Sequence, residues 1–175
     1  MASGDAVARE AAWLNTASGD SLPFLPASAG GDWQIIDAYT QAAATRTQQT
    51  AIYVTREPGW ENIRVANQRT RPRYRMRLDL RWPVRVTSPG TATSIAAAEQ
   101  ANFDAAIELL RQRVAGPLGD KSHGGRFLSA AIAPSKGQPD ITVTPVPAGA
   151  DAIIRAGKEL RASMSYIVDD YEVSN

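Results

Sequence analysis

The sequence predicts an α+β domain, a mostly antiparallel sheet with one long helix, over about 94–114, packed on one face. Two periodicities predict it. Between Arg73 and Val86, apolar residues take every second position, which is the pattern of a half-buried strand. From Ser94 to Val114, apolar residues recur at helical spacing and form a single face. A chain of 175 residues, 43% hydrophobic and 21% charged, is long enough for one domain with a sizeable core.

The first third of the chain predicts one short helix, a loop and one clear strand. Ala6–Leu14 predicts a short N-terminal helix, and the following stretch is rich in Ser, Gly and Pro, which favours loop. We therefore divide the chain into an N-terminal helix and arm or loop, 1–32, and a single α+β domain, 33–175. The segment 33–44 is compatible with a strand or a helix, whereas Ala51–Arg56 is β-branched and aromatic and predicts a strand.

The two central elements are predicted to pack on each other. Pro83 lacks an amide hydrogen, so the strand should end near it or lie on an edge. Ser94 is a candidate N-cap for the long helix. Because each element has one apolar face, we expect these faces to meet. The strand residues are Tyr74, Met76, Leu78, Leu80 and Trp82, and the helix residues that should meet them are Phe103, Ile107 and Leu110.

The last third predicts three strands and a short helix. Arg126–Ala133 and Ile141–Val146 are apolar and β-branched enough to indicate strands. Ala150–Glu159 predicts a short helix in the C-terminal half. From Leu160 to Asp169, apolar and polar residues alternate again, which predicts a long final strand.

Charge is unevenly distributed along the chain. The segment from Arg64 to Arg85 holds eight arginines and one acid, for a net +7, while the whole chain is +1. Such segregation suits contact with a polyanion, with the chain itself or with a second copy, although a solvated strand face is the simpler reading. The candidate interface or DNA-channel face comprises Arg73, Arg75, Arg77, Arg81 and Arg85. The candidate complementary acidic cluster comprises Asp169, Asp170 and Glu172.

The residue inventory excludes several kinds of chemistry. With no cysteine and one histidine, the chain cannot provide a thiol nucleophile, a cysteine-ligated metal site or a multi-histidine site. Asp169 and Asp170 are adjacent in a strand, so their side chains should diverge rather than share a cation. We expect no cofactor and no metal. No apolar run approaches the roughly 20 residues of a membrane span, so no membrane partner is expected.

The segment DKSHGGR, 120–126, places Asp, Ser and His close together. A catalytic triad is assembled across a fold, and this segment lacks the strand–nucleophile–helix turn that exposes a reactive serine. We expect a structured, non-catalytic loop in which glycines supply unusual backbone angles and Asp120 or His123 hydrogen-bonds the backbone. Its candidate interface residues are Asp120, Lys121, His123 and Arg126.

Four segments resemble the tail terminator proteins of long-tailed, siphovirus-type phages, particularly those of actinobacterial hosts. They are AIYVTR, RYRMRLDLRWPV, AEQANFDAAIELLRQRVAG with the DKSHGGRFLS that follows it, and LRASMSYIVDDYEV. The similarity extends roughly from Trp33 to Val173. Its most distinctive parts are GDKSHGGRFLS and LRASMSYIVDDYEV, and it is a similarity of pattern and order.

The resemblance implies a structural virion protein without enzymatic activity. Tail terminators cap the finished tail tube as a ring, usually a hexamer, and stop its polymerisation. They also present a joining surface to the head-completion proteins of the neck, and DNA passes through the ring. The implied partners are further copies of the chain, the tail tube protein and a neck protein, with possible non-specific contact to channel DNA. The implied location is the head–tail junction of the virion, after assembly in the host cytoplasm.

Other functions stay open on the sequence. One alternative is a head-completion or neck connector protein, because such proteins often have the same small α+β topology. A tail tube subunit would need a β-sandwich, and the long helix counts against it. From a different class, a non-specific nucleic-acid-binding accessory protein would account for the arginines through phosphate contacts. A host enzyme is the weakest alternative.

Overall fold

The computed structural model describes residues 5–17, 24, 26–39, 49–59, 61–66, 69–84, 92–116, 120–146, 159–171 and 173–174. Its helices and strands, in chain order, are α1 (Ala6–Leu14), β1 (Ile35–Ala38), β2 (Ala51–Arg56), β3 (Glu61–Ala66), β4 (Arg69–Pro83), α2 (Ala92–Ala115), β5 (Ser129–Ile132), β6 (Ile141–Pro145), β7 (Glu159–Asp169) and β8 (Val173–Ser174). A 3-10 helix covers Ala27–Ala29. These elements confirm the α+β class.

The described strands form one sheet around β4. The order is β1-β2-β4-β7-β5, with β3 and β8 paired to β4 and β6 paired to β7. β1 runs parallel to β2, and every other described pair is antiparallel. β4 and β7 pair without a break from Arg73 opposite Asp169 to Pro83 opposite Glu159. This register places Asp169 directly opposite Arg73, near the start of β4.

The alternation of β4 sorts its side chains onto two faces, as predicted. Met76, Leu78, Leu80 and Trp82 are buried, while the arginines between them keep some exposure. α2 covers the apolar face, where the rings of Trp82 and Phe103 lie 5.8 Å apart. The indole Nε1 of Trp82 donates a 2.7 Å hydrogen bond to Glu99 of α2. The expected packing of strand on helix is confirmed for the buried residues of both elements, whereas Tyr74 and Ile107 are only partly buried at the margin of the cluster.

α1 belongs to the same core. Its buried residues include Val7, Trp13 and Leu14, and all three lie in one apolar cluster with β4 and α2. Asp5 caps the helix by accepting a 3.0 Å hydrogen bond from the amide of Val7. The helix that was predicted before position 33 therefore contributes buried residues to the core of the domain.

Several predicted boundaries shift. α2 begins at Ala92, so Ser94 lies inside the helix and is not its N-cap. β4 starts four residues before Arg73 and ends at Pro83, where the amide donor is missing. The strand predicted from Arg126 starts only at Ser129, because the preceding turns continue through the left-handed Gly124 and Gly125.

Two short strands were not predicted, and one predicted helix falls largely outside the described residues. β3 pairs with the first residues of β4, and β8 pairs with Arg69 and Thr70 on the opposite edge. Of the helix predicted over Ala150–Glu159, positions 150–158 lie outside the described residues, and Glu159 is the first residue of β7. No helix in the described part of the chain is long and apolar enough to cross a membrane.

Candidate functional site

The 120–126 loop is held by its own polar groups, as predicted. The Asp120 carboxylate accepts hydrogen bonds from the amide and hydroxyl of Ser122, at 2.8 and 2.5 Å, and from the amide of Gly124 at 3.2 Å. The hydrogen bond from the Ser122 hydroxyl is the main cause that lowers the pKa of Asp120, and the two amide hydrogen bonds act in the same direction. His123, Gly124 and Gly125 follow one another with φ of 51°, 67° and 78°. Glycine adopts such left-handed backbone angles without steric cost, which explains why two of these three residues are glycines.

His123 is turned into the protein. Its side chain is completely buried, and its ring stacks on Trp13 of α1 with centroids 3.8 Å apart and planes 7° apart. Nδ1 lies 2.9 Å from Oε1 of Glu10, and Nε2 lies 2.9 Å from the carbonyl oxygen of Val114. A histidine with a left-handed backbone is uncommon and persists where its surroundings fix it.

Two further side chains connect the loop to α1 and β7. The hydroxyl of Tyr166 donates to Oε1 of Glu10, which is also fully buried. Burial, together with the charge of Glu10, raises the pKa of Tyr166 well above its usual range, so the phenol stays protonated. Glu10, His123 and Tyr166 thus form one buried polar cluster built from three separate parts of the chain.

A second connection lies beside this cluster. Arg9 donates from Nη1 and Nη2 to the two oxygens of Asp170, at 3.1 and 2.5 Å. Nη1 also donates to the carbonyl oxygen of Arg126, and the guanidinium lies 4.9 Å from the ring centroid of Phe127. One side chain of α1 therefore holds both the end of the loop and the end of β7.

The two most distinctive sequence segments meet here. The amide of Leu128 donates to the carbonyl oxygen of Asp169 at 3.0 Å, and Ala130 pairs with Val168. The hydroxyl of Tyr171 donates to the carbonyl oxygen of Gly125 at 2.7 Å. Leu128 and Tyr171 are both large and more than 40% exposed. The described parts of GDKSHGGRFLS and LRASMSYIVDDYEV are thus in contact with each other.

Asp120, Ser122 and His123 are not arranged as a catalytic triad. The Ser122 hydroxyl donates to Asp120, whereas both nitrogens of His123 are engaged with Glu10 and Val114. A serine nucleophile needs a base that accepts its proton, and His123 has no free nitrogen for that role. Within the described residues, no group of three His, Cys, Asp or Glu side chains could hold a metal ion.

The predicted interface residues of the loop differ in exposure. Asp120 is exposed, and Lys121 is partly exposed with its Nζ 3.7 Å from Asp140. Arg126 is half-buried, and its Nη1 donates to the carbonyl oxygen of Gly124. His123 has no exposed surface, so it cannot touch a neighbour directly and is removed from this set.

The arginine face of β4 has partners within the chain. Arg73 donates from Nε to Asp169 at 2.7 Å, and this hydrogen bond raises the pKa of Arg73. Two further ion pairs are Arg75 with Glu57 at 3.5 Å and Arg77 with Asp79 at 2.9 Å, and Arg81 lies 5.2 Å from the ring centroid of Tyr53. Arg85 lies outside the described residues. Arg75 and Arg77 nevertheless keep 47% and 44% of their side-chain surface exposed.

The predicted acidic cluster is used inside the chain. Asp169 binds Arg73 and Arg71, and Asp170 binds Arg9. Both carboxylates are nearly fully buried, so they are not available to a second copy. The register of β4 with β7 is the reason, because it places Asp169 directly opposite Arg73. Glu172 lies outside the described residues.

Arg9, Glu10 and Tyr166 were not among the predicted site residues. A signal for Glu10 existed, because it lies three residues after Val7 and four before Leu14, on the apolar stripe of α1. A carboxylate on such a stripe is buried only with a partner.

Comparisons of the chain with protein-family models, with curated proteins and with solved structures find no match.

Proposed function

We propose that the chain is a tail terminator, a structural virion protein that caps a phage tail tube as a homo-oligomeric ring. The family resemblance suggests six subunits. In this role the ring stops tube polymerisation and forms the joining surface to the neck proteins at the head–tail junction. The observation that carries the proposal is the division of the sheet into a face packed against helices and a face bearing half-exposed arginines.

Such a division suits a ring. A ring needs heterologous contacts, in which one surface of a subunit meets a different surface of the next. α2 covers the apolar face of β4, whereas the other face keeps Arg75 and Arg77 accessible. Exposed ion pairs are worth only about 0–1 kcal/mol, so these arginines can exchange in-chain partners for partners on a neighbour or on channel DNA at little cost.

The distinctive segments give a second line of support. Separated by more than 30 positions, the loop at 120–128 and the end of β7 converge through the hydrogen bonds of Leu128 and Tyr171. Their shared outer surface exposes two large apolar side chains beside polar loop residues. Apolar side chains mark a contact surface where they form a contiguous patch. We propose this surface as a contact to a tube or neck protein.

Imaging the purified full-length chain tests the proposal. At high protein concentration, negative-stain electron microscopy and mass photometry should show closed rings with one subunit number. A two-fold dimer as the largest species at every concentration would contradict the proposal, because a two-fold contact does not close around a tube.

A non-specific nucleic-acid-binding protein is the second candidate, favoured by the arginine row of β4. Phosphate contacts make such binding strongly dependent on salt. Filter binding with duplex DNA at moderate salt separates the two candidates. Tight binding by monomeric protein would favour the accessory protein, whereas weak binding by monomers together with ring formation favours the terminator.

A further inference from the structure

The cluster around His123 has an unusual proton requirement. The carbonyl oxygen of Val114 can only accept, so Nε2 of His123 must carry a hydrogen across their 2.9 Å contact. The Tyr166 hydroxyl donates to Glu10, so it supplies no proton to the imidazole. The contact that remains joins Nδ1 of His123 to both carboxyl oxygens of Glu10, at 2.9 and 3.0 Å.

That contact needs a proton. A neutral imidazole with hydrogen on Nε2 has a bare lone pair on Nδ1, and an ionised carboxylate offers only lone pairs. Two acceptors facing each other at hydrogen-bond distance in a water-free core would be strongly unfavourable. One proton between Nδ1 and the carboxyl group removes the conflict, whichever of the two atoms it sits on.

We propose that Glu10 and His123 share one proton in the folded protein at neutral and mildly alkaline pH. This proton fastens α1 to the 120–126 loop and β7, so the domain loses stability as the pH rises. The proposal is independent of the tail terminator function, because it rests only on the hydrogen bonds of the buried cluster.

The pair is completely buried and lies among aromatic rings, those of Trp13 and Phe127. The imidazole stacks on Trp13, and the guanidinium of Arg113 lies 4.0 Å from the centroid of the Trp13 ring. Burial is the main cause that lowers the pKa of Arg113, whereas the charge of Glu10 acts in the opposite direction. The charged and titratable groups on the elements around the pair are Arg113 of α2, Asp120 and Arg126 of the loop, Tyr166 of β7 and Arg9 of α1, the last bound to Asp170.

Unfolding releases the shared proton. Histidine in an unfolded chain is mostly neutral above about pH 6.5, and glutamate is ionised above about pH 4.3. The native state therefore binds one proton more than the unfolded state above about pH 6.5, so stability falls as the pH rises. For one proton, the folding equilibrium constant falls by up to about tenfold per pH unit. The chain has one histidine and no cysteine, so no other side chain ordinarily titrates between pH 6 and 9.

Glu10→Gln tests the proposal with an almost isosteric side chain. The glutamine amide can donate to Nδ1 of a neutral His123 while its oxygen accepts from Tyr166, so every hydrogen bond is kept without the extra proton. Urea unfolding should be measured from pH 6.5 to 8.5 for both proteins. The wild-type folding constant should fall by up to about 100-fold, whereas that of E10Q should stay nearly constant. If the folding constants of the two proteins change equally with pH, the proposal is overturned. The α-amino group also titrates in this range, but it is present in both proteins and therefore does not affect the comparison.

Nuclear magnetic resonance of the wild-type protein decides the matter even if E10Q does not fold. Because the chain has a single histidine, its ring nitrogens can be assigned without ambiguity. At pH 8, we expect two slowly exchanging protons, one on Nε2 and one between Nδ1 and the carboxyl group of Glu10. A neutral imidazole that carries its one hydrogen on either nitrogen beside an ionised carboxylate would overturn the proposal.

Discussion

Arg9 and Asp170 lie 161 positions apart in sequence and form a two-pronged ion pair, with Nη2 of Arg9 2.5 Å from Oδ2 of Asp170. Asp170 is nearly fully buried, and Arg9 is one-fifth exposed. Two parallel hydrogen bonds between a guanidinium and a carboxylate are among the stronger polar contacts in proteins. α1 is therefore attached to the end of β7.

Asp170→Ala should lower the free energy of unfolding by about 3 kcal/mol, because removing one partner leaves a poorly hydrated guanidinium. Urea denaturation measures the loss. Asp140→Ala is the matched control, since Asp140 is 52% exposed and lies 3.7 Å from Lys121. That exposed pair should contribute no more than about 0.5 kcal/mol. Equal losses in the two variants would mean that the Arg9 contact is not stabilising.

Leu110→Ala should lower the free energy of unfolding by about 2–5 kcal/mol, because Leu110 is completely buried between α2 and the sheet. Leu128→Ala removes the same atoms from a side chain that is 44% exposed, and it should cost far less. Thermal or urea unfolding compares the two. A loss below about 0.5 kcal/mol for Leu110→Ala would show that the helix does not pack as described.

The strongly periodic elements were predictable from the sequence, and the attachments between distant segments were not. β4 and α2 each bury one regular stripe, so local spacing is enough to find them. In β3, ENIRVA, polar and apolar residues alternate over only four positions, 62–65, which is too short a run to predict a strand on its own. Its strand structure depends on pairing with the first residues of β4.

The same distinction applies to the candidate site. The loop geometry was predictable, because Asp120 and the two glycines act on neighbouring backbone groups. The partner of Asp169 was not, because charge complementarity in a sequence does not distinguish contact within a chain from contact between copies. Only the strand register, with Arg73 opposite Asp169, decides between them.

Ser122→Ala should leave any hydrolase activity of a preparation unchanged, because such activity would come from a contaminant. The Ser122 hydroxyl donates to Asp120 and accepts from the amide of Gly125, and His123 is engaged elsewhere. A serine-reactive fluorophosphonate probe provides the measurement, and it should not label the wild-type chain. Stoichiometric labelling that Ser122→Ala abolishes would contradict this prediction.

Reversing both Arg75 and Arg77 to glutamate should block ring assembly while leaving the monomer folded. Their in-chain partners, Glu57 and Asp79, would then face like charges. Because both arginines are about half exposed, the cost to the monomer should stay within roughly 1 kcal/mol per pair. In the proposed ring, contacts of these arginines with a neighbouring copy would repeat around the ring, so their loss should affect assembly much more than folding.

Arg111→Glu is the matched control for this experiment. Arg111 is 45% exposed on α2 and pairs with Glu108 at 2.7 Å, much as Arg77 pairs with Asp79. Circular dichroism should show folded protein in both variants, and negative-stain images should show rings only for the control and the wild type. In the proposed ring, Arg75 and Arg77 would meet either DNA phosphates or carboxylates of the next copy other than Asp169 and Asp170, because those two acids are used within the chain. If the double variant still forms rings, the arginine face is solvated and takes no part in assembly.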